Sequence, residues 1–75
     1  MINKFNTTDI VLAATLKVLG YTLISIEKTG NKGTFIFDGV QEEVITTFDT
    51  GRCTVEPVSF NNAIKSLTTA VRRQP

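Results

Sequence analysis

The stretch from Thr7 to Gly20, TTDIVLAATLKVLG, constrains the fold more than any other part of the chain. Thr7 is a helix N-cap by residue type, and Asp9 falls in the first turn, where a carboxylate meets the positive end of the helix dipole. Gly20 stands where a left-handed terminal residue is wanted. Both ends therefore predict one short helix. At about 100° per residue, Leu12, Leu16 and Leu19 form one apolar stripe, while Ile10, Val11, Ala14 and Val18 form a second roughly 150° away. A helix on the surface of a small domain needs only one. Either both stripes are buried within a single domain, or Ile10, Val11, Ala14 and Val18 form a partner-binding face that meets another protein or a second copy.

The chain has 75 residues, enough for a single domain, 1–75, with a marginal core that self-association would reinforce. Hydrophobic residues make up 41% and charged residues 20%, which argues against disorder. A net charge of +1 creates no global field toward nucleic acid or an anionic membrane, so any such contact has to come from a local patch. Cys53 is the single cysteine, which excludes an internal disulfide and fits a reducing cytoplasm; a small apolar strand residue is its expected role. MINKFN has none of the regions of a signal peptide. The apolar run from Ile10 to Ile26 is broken by Lys17 and Gly20, short of the roughly 20 residues that span a bilayer. These features predict a cytoplasmic protein with no membrane contact.

After Gly20 the pattern turns β-rich. Tyr21 to Lys28 reads as a strand, Thr29 to Gly33 as a hairpin loop whose glycines and asparagine supply positive φ angles, and Thr34 to Asp38 as the returning strand. Phe35 and Phe37 share one face of that strand and Ile36 takes the other, so each face calls for a cover. Ile2 and Phe5, in the lead-in from Met1 to Asn6, are expected to tuck against the first helix. Val40 to Asp49 predicts a second helix, with Val40, Val44 and Phe48 in line and Glu42 and Glu43 in its first turn. Arg52 to Glu56 reads as a short third strand with Cys53 and Val55 pointing one way. Pro57 then opens a last helix from about Val58 to Arg73, with Phe60, Ala63, Ile64, Leu67 and Val71 on one face, and Gln74 and Pro75 are expected to fray. The expected architecture is α+β in the order α-β-β-α-β-α, a hairpin plus one short strand packed with three helices. The β-α-β portion allows the third strand to run parallel to the second.

No histidine is present, which removes Ser-His and Cys-His nucleophiles, histidine acid–base catalysis and most zinc sites. Gly30 and Gly33 join two strands instead of opening a helix, so they form no phosphate loop of the nucleotide-binding type. Asp38, Glu42 and Glu43 are close enough in sequence to hold a divalent cation, but helix capping accounts for them more simply. No catalytic residue, metal or cofactor is assigned, and the chain reads as no enzyme. Basic residues gather in two places: Lys28 and Lys32 flank the hairpin loop, and Lys65, Arg72 and Arg73 lie along the last helix. Together they are the candidate nucleic-acid-binding residues.

The blocks F-x-T-T-D-x-x-L-A-A-x-L-x-x-L-G-Y at Phe5 to Tyr21, F-x-F-D at Phe35 to Asp38 and T-V-E-P-x-x-F-x-x-A-x-K-x-L at Thr54 to Leu67 resemble a family of small bacterial and phage domains of unknown function. Glu56 stands where the resembled pattern has an aspartate, which should weaken the start of the last helix. The resemblance implies a phage origin and therefore a host-cell cytoplasm, without an activity. The expected function is a non-enzymatic accessory or anti-host protein that acts by protein–protein contact, self-associating as a homodimer. Two alternatives are a nucleic-acid-binding accessory protein of replication or transcription and a protein that sequesters a small ligand such as a nucleotide.

Overall fold

The computed structural model describes residues 4–30 and 32–74. The elements run β1 (Lys4–Thr7), α1 (Ile10–Val18), β2 (Thr22–Thr29), β3 (Lys32–Asp38), α2 (Glu42–Asp49) and α3 (Pro57–Arg72). The α+β class, the three helices and the three-stranded sheet agree with the sequence reading. The order is β-α-β-β-α-α, because the third strand comes from the lead-in and not from Arg52–Glu56. β3 is central, with β1 and β2 antiparallel on either side of it. No strand runs parallel to its neighbour in this sheet, which corrects the expected parallel crossover. Residues Ile2, Asn31 and Pro75 lie outside the described residues.

β1 pairs Phe5 with Phe37 and Thr7 with Phe35 across a long sequence separation. A four-residue strand with one aromatic offers too little alternation to announce itself, and only its partner fixes it. Arg52–Glu56 has the alternation without the partner. Cys53 and Val55 are half-buried and Arg52, Thr54 and Glu56 exposed, as the pattern predicts, but no ladder forms. Alternation specifies which side chains turn inward; it does not supply a neighbouring strand.

The hairpin is tighter than the sequence implied. β2 continues to Thr29, which pairs with Lys32, and Lys28 pairs with Gly33, with Gly30 in the turn. The register slips between Leu23 and Ser25, which leaves Ile24 bulged and 45% exposed.

α1 begins later than expected. Asp9 is the N-cap, with a carboxylate oxygen accepting from Val11 N–H at 2.9 Å and Leu12 N–H at 3.4 Å. Thr7 Oγ1 instead accepts from Asp9 N–H. At the other end Gly20 takes φ +98°, its N–H donating to Lys17 O and that of Tyr21 to Leu16 O. That pair of bonds closes the helix and turns the chain into β2; a side chain at position 20 would be strained there.

Leu12, Ala13, Ala14, Leu16, Phe35, Phe37, Ala63 and Leu67 form the core, and Phe37, Leu16 and Leu67 are fully buried. Ile36 is buried on the opposite sheet face, outside that cluster. A thickness of 18 Å against 34 × 33 Å accommodates one sheet and one layer of helices. α1 and α3 pack on each other, α3 near β2 and α1 near β1. α2 begins at Glu42, with Glu42 and Glu43 in its first turn, and buries no residue; Val44, Ile45 and Phe48 lean half-buried on the core.

α3 matches its predicted apolar face, with Ala63 and Leu67 buried and Phe60, Ile64 and Val71 packed against the core. Its start is stronger than expected. The Glu56 carboxylate accepts from Val58 N–H and Ser59 N–H, both at 2.8 Å, and from Ser59 Oγ at 3.0 Å. The longer acid thus reaches both free amides, and Pro57 at the first helical position needs no acceptor for an N–H it lacks. Those three hydrogen bonds, to the Val58 and Ser59 amides and the Ser59 hydroxyl, hold the Glu56 carboxyl below its ordinary value of 4.5.

Candidate functional site

The helix pair fixes where the sequence-predicted residues fall. Ile10 shares a cavity lining with Val71, and Val18 shares a groove lining with Ser59 and Ala63. The start of α1 therefore meets the end of α3, and the two run antiparallel. Ile10, Ala14 and Val18 recur at four-residue spacing along one face of α1. Ala14 is fully buried, and Ile10 and Val18 are half-buried against the core. Of the proposed partner-binding residues only Val11 is substantially exposed, at 45%. The second stripe of α1 is thus mostly absorbed within the chain, and it offers no continuous free surface to a partner.

The basic residues fare differently. Lys28, Lys32 and Arg72 line one cavity of about 460 Å³, although Lys28 and Arg72 are far apart in sequence. Thr8, Ile10, Gly33, Phe35, Thr68 and Val71 complete the lining, with no carboxylate among the described residues that form it. Ile10, Phe35 and Val71 are the apolar residues of the lining, Thr8 and Thr68 carry hydroxyls, and Lys28, Lys32 and Arg72 are its exposed cations. Lys65 is on the same side of α3 as Arg72, two turns earlier, about 10 Å along the axis, and does not line the cavity. Arg73 is the C-cap of α3 and is likewise outside the lining.

Three devices bring the cations together. The β2–β3 register places Lys28 opposite Gly33 and ends at the Thr29–Lys32 pair, so both lysines stand at the hairpin tip. The sixteen-residue length of α3 carries Arg72 to that tip. Gly33 lets it approach. A Cβ at position 33 would stand 2.7 Å from Val71 Cγ2 and 3.1 Å from Cγ1, so any larger residue would force the Val71 side chain, or α3 with it, to shift. Gly33 lies in a regular strand without positive φ, so its role is close approach and not the loop conformation expected of it.

Gly33, Thr8, Thr68, Phe35 and Val71 were not singled out as site residues in the sequence, and Ile10 was singled out only as part of a partner-binding face. One signal was present. Gly33, Phe35 and Phe37 share a strand parity, and a glycine on a helix-facing parity marks where another element sits close.

Elsewhere, Leu19, Glu43, Val44, Thr47, Arg52 and Cys53 border a more polar groove beside α2, in which Cys53 is half-buried. Asp38, Glu42 and Glu43 do not converge: no group of three or more histidine, cysteine or acidic side chains able to hold a metal occurs among the described residues. No helix among the described residues is long and apolar enough to cross a membrane. No family model, no curated protein and no solved structure matches the chain.

Proposed function

We propose that this protein is a non-enzymatic binding protein that takes the phosphate of its ligand between Lys28, Lys32 and Arg72. The observation that carries this reading is the convergence of those three cations on one cavity lining that contains no acid among the described residues. Guanidinium and ammonium donors are well matched to phosphate oxygens, the first by its planar fork and the second as a compact charge. The chain contains no histidine, so the commonest proton-transfer residue is not available to turn such a site into a hydrolase. The reading draws on the two alternatives that involve phosphate, a nucleic-acid strand or a small nucleotide, and places less weight on protein–protein contact through α1.

The test is a thermal-shift titration with pyrophosphate and with a single-stranded oligonucleotide at low salt. A ligand at 100 times its Kd stabilises the folded state by about 2.7 kcal/mol, which raises the melting temperature measurably. We expect that rise for the unmodified protein and its loss in the Lys28→Ala, Arg72→Ala double substitution. A chain whose melting temperature neither probe moves does not bind phosphate here.

A further inference from the structure

Resting on that reading, we infer that the ligand is a mononucleotide-sized phosphate monoester carrying a planar, partly apolar body, and not a polynucleotide. The charge balance points this way. A phosphate monoester carries about −1.5 to −2 near neutral pH, whereas each backbone diester carries only one negative charge. Lys28, Lys32 and Arg72 all belong to the lining, a cation count that matches the more highly charged group. The dimensions agree, since about 460 Å³ falls in the range of roughly 300–1,000 Å³ found for small-molecule sites.

The remainder of the cavity specifies the body. Ile10 and Val71 supply an aliphatic floor from two helices, Phe35 lies buried beneath it at 2% exposure, and Thr8 and Thr68 add hydroxyl-bearing residues to the lining. Such a lining accepts a flat heterocycle with a few polar edges, with its phosphate directed to the rim.

The surface around the cavity is poorly suited to a strand. Polynucleotide binders add a basic track along several phosphates and aromatic platforms on which successive bases stack. Here Lys65 and Arg73 lie outside the lining. The large hydrophobic residues exposed among the described residues are Val11, Leu19, Ile24 and Val58, none of them aromatic.

Isothermal titration of the unmodified full chain with AMP, GMP, adenosine, inorganic phosphate and a single-stranded oligonucleotide tests the inference. The expected result is that at least one of the two mononucleotides binds about tenfold or more tightly than either inorganic phosphate or adenosine, since both halves of the site contribute. Lys65→Ala should leave that affinity unchanged. Val71→Ala, with folding verified by its own melting curve, should weaken mononucleotide binding about tenfold while sparing inorganic phosphate. Inorganic phosphate binding as tightly as both mononucleotides overturns the assignment of the floor and leaves the phosphate site standing. An oligonucleotide that binds more tightly than both mononucleotides and loses affinity in Lys65→Ala overturns the small-ligand class in favour of a strand. No heat with any phosphate-bearing probe overturns the site itself together with this inference.

Discussion

The two ends of the α1–α3 pair are built differently from the same two helices. At the end near Val18 and Ser59 the groove is lined mostly by polar side chains, Lys17, Ser59, Asn62 and Ser66, beside Val18 and Ala63, and Lys17 Nζ reaches Ser66 Oγ across the seam at 3.4 Å. At the end near Ile10 and Val71 the facing residues are branched and apolar, the hairpin tip joins in, and three cations crowd one rim. Small residues let helices close on each other, as Ala13, Ala14 and Ala63 do with almost no exposure. Branched residues hold the backbones apart and leave a space. One seam thus opens at both ends, on a polar groove of about 430 Å³ and on a basic cavity of about 460 Å³, with Ser59 and Val71 some 18 Å apart along α3.

The largest effect should come from the middle, which both ends share. Leu67 is fully buried, and Leu67→Ala should cost about 2–5 kcal/mol in denaturant unfolding. A chain of this length holds a total on the order of 4–11 kcal/mol, so the change would remove a large share of its stability. A cost below 1 kcal/mol would show that the seam collapses around the gap.

A smaller effect should be confined to the open end. Gly33→Ala drives a methyl into Val71 and should destabilise by about 1–3 kcal/mol, although alanine is otherwise the better residue in a strand. It should also weaken phosphate binding by moving Arg72 from the hairpin tip. Adding Val71→Ala should recover part of the loss, so the two changes would be clearly non-additive in a double-mutant cycle. Simple additivity would mean that Gly33 does not set the approach of α3.

The smallest effect belongs to the Val18–Ser59 end, where Glu56 caps α3. Its folded-state pKa is depressed, so its contribution is present above the ordinary value of 4.5 and is lost as pH falls through the lowered folded value. Glu56→Gln should therefore lower the melting temperature at pH 6, with the difference from the unmodified protein shrinking as the pH drops below 4.5. A difference that persists unchanged into acid would assign the cap to geometry and not to charge.

These contrasts also separate what was legible before folding. The stripe Phe60, Ala63, Ile64, Leu67 and Val71, the acids opening α2 and the glycine closing α1 are local patterns, and each appears where the sequence places it. β1 was missed and Arg52–Glu56 overread because a ladder depends on a partner many residues away. The basic residues were visible as two groups; that Lys28 and Lys32 join Arg72 while Lys65 and Arg73 stand aside was not.

By itself the sequence determined the α+β class, the apolar face of α3 and the exclusion of histidine chemistry, because periodicity, capping and residue type act within a few residues of chain. Only the tertiary structure decided that Ile10, Ala14 and Val18 lie within the chain's own packing and that three cations share one cavity. Those outcomes depend on how closely α3 approaches β3 at Gly33, a contact between residues 38 positions apart that no local pattern encodes.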